Sequence, residues 1–487
     1  MSNRSINSAS YGNFTSQYIG GKWVDGTTGK KLRDTNPYDD TLLTEIALAS
    51  KADLDRAFAS AKAAQPEWAA KTPAERAEIF YRARSILDAR KEEIISWLVR
   101  ESGSTRIKAE VEFGAVRAGM GEAAPMPYQV VGSIMPVDHS GKEARVYREP
   151  VGVVGVISPW NFPFHLSNRS VAPALAVGNG VVLKPASDTP ITGGLLLAKI
   201  YEEAGLPAGL LNVVIGSGAE IGDAFCAHPV PRVISFTGST AVGKRIAHVT
   251  AGSPRLKRMS LELGGNAPLV ILDDADLGVA VNAALLGRFL HQGQICMSTN
   301  RIIVMDAIYD KFLDAFTEAV KGIKYGNPDE PDTMVGPICN DVQLKTVIHL
   351  IESARKDGFE FRVGGDIEGR LVPPYVIANV APDSELAQTE VFGPVVSVIS
   401  ARDEEEALKI ANDTEYGLSS AVITTNEARG LAFAKRIEAG MTHINDMTVQ
   451  DFPSVMFGGE KNSGLGRFNG HWILDEFTTE HLVTIQR

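Results

Sequence analysis

The sequence predicts an α/β protein built on open, largely parallel sheets, and two observations carry the prediction. Short apolar strands at 181–184, 211–215 and 233–236 alternate with helical stretches at 191–204 and 219–227. Strand, helix, strand at this spacing implies parallel pairing with right-handed crossovers, a sheet that takes its ligand at the strand ends. A second α/β unit begins after Leu261, with a strand at 268–272 and a helix from Asp276 that leads towards Cys296.

Length and charge bound what such sheets could serve. At 487 residues the chain exceeds one hydrophobic core, so two or three domains are expected. A net charge of −11 gives no electrostatic basis for binding nucleic acid or an anionic membrane. The three cysteines, Cys226, Cys296 and Cys339, are odd in number and far apart. They form neither a disulfide framework nor a zinc site, and no metal is expected; a reducing cytoplasm fits them. Residues 1–17 are polar and lack the apolar core of a signal peptide. The uncharged run 150–168 contains Pro150, Pro159 and Pro163 with Asn161 and His165, which argues against a membrane-spanning helix. A soluble cytoplasmic protein is expected.

In chain order, 51–99 reads as helical. Thr72 and Pro73 supply a cap and a first-turn proline, and Ile79, Ala83, Ile86 and Leu87 recur on one face. Residues 145–158, rich in β-branched residues and glycine, read as strands at an edge or ribbon. The helix expected over 191–204 is closed by Gly205. The tail at 481–485 reads as a strand that needs a partner, either the 146–156 ribbon or another subunit.

Two glycine-rich turns follow predicted strands. The first, GSGAEIG at 216–222, is one residue too long for the G-x-G-x-x-G fingerprint, although Gly218 and Gly222 would still suit a phosphate turn. The second, Gly238 through Gly243-Lys244, matches a phosphate-binding loop until Arg245 stands where a Ser or Thr would hold magnesium. A nucleoside triphosphatase is therefore disfavoured. What survives is a helix N-terminus with hydroxyls from Thr237, Ser239 and Thr240, suited to a diphosphate that needs no metal. A purely structural turn would use the same glycines.

Seven motifs reached in order resemble those of the aldehyde dehydrogenase superfamily from about Tyr18 to the C-terminus. They are PWNFP (159–163), LKPA (183–186), FTGST (236–240), LELGG (261–265), GQIC (293–296), EVFGP (390–394) and FGGEKNSGLGR (457–467). The resemblance implies the aldehyde dehydrogenase fold, a Rossmann-like dinucleotide-binding domain with an α/β catalytic domain and a small β-ribbon for oligomerisation. The expected divisions are 1–127 with 151–262, then 263–462, and 128–150 with 463–487. A homodimer or homotetramer is implied, since an uncovered apolar ribbon edge would otherwise aggregate.

By the same resemblance Cys296 is the nucleophile. Its neighbours are glycine and polar residues, whereas Cys226 and Cys339 match no such motif. An aldehyde cannot readily surrender its hydrogen as hydride until an adduct forms, and a free thiol of pKa about 8.5 is only slightly ionised at neutral pH. Asn161, together with the Cys296 backbone N–H, is implied as donor to the oxyanion, and Glu262 as the base that activates water against the thioester. Relatives that pass the acyl group to coenzyme A usually lack that glutamate, so hydrolysis to the free acid is implied. The cofactor residues implied are Lys184 at the adenosine ribose, Trp160 and Ser239 at the diphosphate, Glu390 at the nicotinamide ribose and Phe392 beside its ring. Many relatives that prefer NAD carry a glutamate where this chain has Ser187. Without that carboxylate a 2′-phosphate is admissible, so use of both NAD and NADP is expected.

For the small-molecule aldehyde itself, segment 443–451 and the ending RFNG at 467–470 resemble aromatic aldehyde dehydrogenases of the vanillin, benzaldehyde and salicylaldehyde type. Phe162, Phe289, Phe452 and Phe457 could wall a flat apolar slot, or be ordinary core residues. Arg169 lies where succinate-semialdehyde dehydrogenases place an arginine, so a carboxylated aliphatic substrate is the alternative; it could equally be an ion-pair partner. A cofactor-binding structural protein of this fold without chemistry is the remote alternative, opposed by the joint presence of Cys296, Glu262 and Asn161.

Overall fold

The computed structural model describes residues 9–487, so the first eight residues of the expected 1–127 segment lie outside it. Its centre is a pair of sheets. In the first, the strands Leu211–Val213, Gly180–Lys184, Val153–Ile157, Val233–Thr237 and Arg258–Glu262 lie side by side in that order, all parallel. In chain order this is 3-2-1-4-5, so the direction of winding reverses between Val153–Ile157 and Val233–Thr237. Helices leave on opposite faces at that point, and the carboxyl ends of the two strands open a crevice. Buried aliphatic residues cover both faces: Val154, Val156, Leu183 and Val213 on one, Val153, Val182 and Ile234 on the other. A strand buried on both faces has no polar alternation, which is why these segments read as continuous apolar runs.

The second sheet begins at Ala267–Ile271, which lies between Thr299–Met305 and Ser419–Ile423. Val395–Ala401, Tyr375–Ala378 and Met441–Ile444 extend it in parallel, and Glu360–Val363 closes one edge antiparallel. A third, three-stranded antiparallel sheet joins the tail Thr478–Gln486 to Lys142–Pro150 and Ser133–Met135. No helix among the described residues is long and apolar enough to cross a membrane.

Three local expectations need correction. The tail does pair within its own chain, but its partner ends at Pro150; Val153–Ile157 belongs to the middle of the first sheet, not to a ribbon. The helical reading of 51–99 holds, as three helices, Lys51–Ala69, Pro73–Ala89 and Lys91–Ser102, with Thr72 capping the second and Pro73 in its first turn. The helix expected at 191–204 opens with a wide π-turn, Ile191–Leu195, before Leu196–Glu203 becomes α-helical, and the one at 219–227 starts the same way, at Gly218–Gly222. The free N–H groups of Ile191 and Thr192 are bonded by the buried Glu101 carboxylate at 2.6 and 2.7 Å, a contact no local pattern reveals. Finally, the helix from Leu277 stops at Phe289, well before Cys296.

Candidate active site

The crevice at the reversal point holds a cavity of about 180 Å³, lined among others by Trp160, Asn161, Thr237, Gly238, Ser239, Glu390, Phe392 and Cys296. Trp160 and Phe392 meet edge to face, with ring centroids 5.3 Å apart. Ser239 caps the helix Thr240–Ala251 in extended backbone without a side-chain cap bond, which leaves that helix N-terminus open towards the cavity. Glu390 is fixed from the opposite side by the Gly265 N–H at 2.8 Å; burial raises its carboxyl to about 7, against that donor and the charge of Arg288.

How the chain reaches Cys296 explains the broken helix. His291, Gln292 and Gly293 take φ of 51, 57 and 70°, left-handed backbone that non-glycine residues avoid. Tertiary contacts hold it there. The Gln292 amide donates to the carbonyls of Gly103 and Pro337 at 3.0 and 2.9 Å, and Gln294 accepts the Cys339 N–H at 3.0 Å. This reversal swings Cys296 away from the second sheet and into the crevice of the first. Asn161 donates its amide to the Gln294 carbonyl at 2.9 Å, which ties the two strand-end loops together beside the thiol. Among the described residues, no hydrogen bond engages the Cys296 backbone N–H.

Burial pushes the Cys296 thiol up to about 12; the carboxylates of Glu390 and Glu262 act in the same direction and Arg169 opposes them. The thiol is therefore protonated at neutral pH until a base or a bound ligand intervenes. Glu262, at the carboxyl end of Arg258–Glu262, is 1% exposed, and neither of its carboxylate oxygens has a hydrogen-bond partner. Burial raises its carboxyl to about 8. Its backbone is held on both sides: the Gly238 N–H donates to the Glu262 carbonyl at 3.0 Å, and the Leu263 N–H donates to Ser463 at 2.8 Å. A rigidly held, unpartnered carboxyl group costs stability and is a mark of function rather than of packing.

A second cavity, about 190 Å³, meets the first at Asn161, Leu166 and Cys296. Phe162, Leu290, Ile295, Met297, Val449 and Phe457 make it mainly apolar, with Val111 and Ala115 from the helix Arg106–Ala123. An apolar cavity of roughly 150 Å³ accommodates a benzene ring, so this one has room for a ring and a small substituent. One polar corner is built from His165, Arg169 and Asp451. Asp451 faces His165 Nε2 at 2.9 Å and accepts from Arg169 at 3.3 Å and Asn469 at 2.6 Å. Burial alone would raise its carboxyl, but the His165 hydrogen bond and the Arg169 charge bring it down to about 2.

The structure thus gathers Cys296, Asn161, Trp160, Thr237, Gly238, Ser239, Glu390 and Phe392 at one cavity, and Phe162, Arg169 and Phe457 at the other. Others lie elsewhere. Phe289 is fully buried against Phe316 under the second sheet, on the far side of the kink from the cavities. Phe452 is half exposed and lines neither cavity, because the chain turns outward after Asp451. Gly243 serves helix packing: a Cβ there would lie 2.4 Å from Leu263. Lys184 is buried beside Ile157 in the sheet register, and burial brings its ammonium down to about 8. Ser187 follows it, and Gly218 and Gly222 have open space where a Cβ would go, all three off the walls of these cavities. Sequence reasoning missed His165 and Asp451. Asp451 ends a quoted motif, yet nothing in a polar loop marks it as buried.

The chain is similar to known proteins over nearly its whole length. A family model described as the aldehyde dehydrogenase family matches residues 23–483. The chain is 54% identical over 473 residues to a vanillin dehydrogenase of Corynebacterium glutamicum, covering 97% of this chain and 98% of that protein. It is 49% identical over 477 residues to a benzaldehyde dehydrogenase of Bacillus subtilis, covering 98% of each. The crystal structure of a NAD-dependent benzaldehyde dehydrogenase from Corynebacterium glutamicum superposes with a TM-score of 0.90 at 50% identity, covering 97% of both chains.

Proposed function

The chain belongs to the aldehyde dehydrogenase family and is an oxidoreductase; from that premise we propose that it oxidises aromatic aldehydes of the benzaldehyde and vanillin type to their carboxylic acids. The observation that carries this reading is the meeting of two cavities at Cys296. One is walled by an open helix N-terminus, Trp160 and Phe392, the other by apolar side chains around a ring-sized space. An aldehyde held in the second presents its carbonyl to whatever occupies the first.

The residues fit a nicotinamide dinucleotide. The helix that starts after Ser239 offers uncapped N–H groups to a diphosphate, and Glu390 and Phe392 face the same space. When bound, that cofactor supplies the hydride acceptor. Support for NAD comes from the NAD-dependent relative. We extend the reading to NADP because Ser187 places no carboxylate three residues beyond Lys184.

In the chemistry proposed, Cys296 attacks the carbonyl carbon as its thiol gives up a proton. Glu262 in its ionised form, favoured as pH rises through about 8 and without competing donors, is the group able to take it. The oxyanion of the thiohemiacetal is stabilised by the Asn161 amide, already aimed by its bond to Gln294, and by the free Cys296 N–H. A donor of this kind is typically worth about 3 kcal/mol or more. Once the hydride has left, Glu262 activates water against the Cys296 thioester, and the free acid departs. The dry site around Glu262 keeps its proton affinity high enough for this second role.

Cytoplasmic residence belongs to the same reading, supported by three unpaired cysteines. So does assembly into a homodimer or a pair of dimers. Ile134 and Leu482 are 72% and 59% exposed on the three-stranded sheet, an apolar surface that a second copy would cover. The test is a panel of benzaldehyde, vanillin and succinate semialdehyde with each cofactor, followed at about 340 nm, where the reduced nicotinamide absorbs. The aromatic aldehydes should lead in kcat/KM, and Cys296→Ala should abolish turnover. Preference for succinate semialdehyde, or turnover surviving in Cys296→Ala, would overturn the reading.

A further inference from the structure

Of the residues that line the aldehyde cavity, Arg169 is the one with a permanent positive charge. A guanidinium in a mainly apolar space is a ready receptor for a carboxylate, because its planar fork matches the two oxygens. In this chain the charge of that receptor is already paired, although its Nε has no partner among the described residues. Arg169 donates to Asp451 at 3.3 Å, and its guanidinium lies over the rings of Phe457 and Phe468 at 4.3 and 5.1 Å. Asp451 cannot readily turn aside. Its second oxygen accepts from Asn469 at 2.6 Å, and the first also faces His165 at 2.9 Å. Its side chain is 14% exposed and lines the same cavity.

We propose that Asp451 is a specificity-determining residue: by occupying Arg169 it turns a carboxylate receptor into a neutral wall and reserves the cavity for uncharged aldehydes. The inference rests on the reading that this cavity takes the aldehyde. A carboxylated aldehyde that reached the guanidinium would lie beside the anion already there. Like charges within several ångströms in a poorly hydrated site cost affinity by about tenfold or more. An uncharged ring meets no such repulsion and packs on the apolar part of the lining, Phe162, Leu290, Ile295 and Met297 among it.

The test compares 4-carboxybenzaldehyde with its neutral counterpart of the same shape, 4-formylbenzamide. In the wild type the amide should exceed the acid in kcat/KM by about tenfold or more; equal values would overturn the proposal without any variant. In Asp451→Asn, which keeps the shape and removes the charge, the acid-to-amide ratio should rise by about tenfold or more, mostly through KM. Adding Arg169→Gln to that variant should erase the gain, whereas a merely loosened pocket would lower both substrates together. An unchanged ratio, or a parallel fall of both, would sink the proposal. Failure of the wild type to oxidise benzaldehyde at all would strike the functional reading instead.

Discussion

Gly265 lies flat against the backbone of Cys296, and a methyl group placed there measures how finely the proposed nucleophile is positioned. A Cβ at Gly265 would stand 2.0 Å from the Cys296 carbonyl oxygen and 3.1 Å from its carbon, where real Cβ contacts do not fall below 3.0 Å. About 1 Å must therefore be absorbed by movement. The obstacle is backbone, so no rotamer change relieves it. Gly265 is anchored by its N–H to Glu390 at 2.8 Å, and the neighbouring Asn266 amide is bonded to the Ala387 carbonyl at 2.9 Å. The Cys296 loop, at the end of three left-handed residues, is the side that yields. Misplacing a reacting group by about 1 Å costs about a hundredfold in rate. The steric penalty itself is about 1–3 kcal/mol, small enough for the fold to survive. Gly265→Ala should therefore lose about a hundredfold in kcat for benzaldehyde while keeping a cooperative melt and one alkylatable thiol at Cys296. A kcat within about threefold of the wild type would refute the reasoning, as would a loss that merely tracks unfolding.

Two further perturbations probe the carboxyl group and the cofactor. The Glu262 carboxyl titrates at about 8 when folded against an ordinary 4.5, so wild-type kcat/KM should climb with pH through about 8, a limb absent from residual Glu262→Gln activity. The same raised value means that this group favours folding fully only below 4.5, and the benefit is lost as pH rises to about 8. Glu262→Gln should then melt above the wild type at pH values over about 8, with the difference fading below about pH 4; a constant offset across that range would contradict the burial argument. For the cofactor, Ser187→Glu sets a carboxylate against a 2′-phosphate at ~4 Å. At an effective dielectric of about 20 this costs roughly 4 kcal/mol, or about a thousandfold in NADP affinity, with NAD little changed. Equal losses for both cofactors in initial-rate assays would show that the residue acts by some other route.

Much of this architecture can be read in the sequence because its strands are buried on both faces. The runs 181–184 and 233–236 announce themselves as β-branched, and the glycine turn at Gly238 that follows the second marks a strand end where the cavity lies. The path from Phe289 to Cys296 could not be read this way. His291 and Gln292 are not left-handed by local preference; bonds from Gln292 to Gly103 and Pro337, far away in sequence, hold the chain there. The phenylalanines show the same limit. Phe289, Phe452 and Phe457 have equal claims as letters, and only the fold sends the first under the other sheet and the second into solvent while the third faces the aldehyde cavity. Asp451 escaped notice for the opposite reason: a charged residue in a loop reads as solvated, and its burial depends on Arg169 from another part of the chain.

The short strand Gly464–Leu465 sews the end of the polypeptide onto Leu261 and Glu262, and Phe457 and Asp451 come from the same late stretch. During synthesis, then, a ribosome will have displayed every reactive group of the enzyme long before the chamber around them can shut. The thiol and the carboxyl group therefore stay solvated until residues 451–465 have been made, and burial can raise their proton affinity only after that.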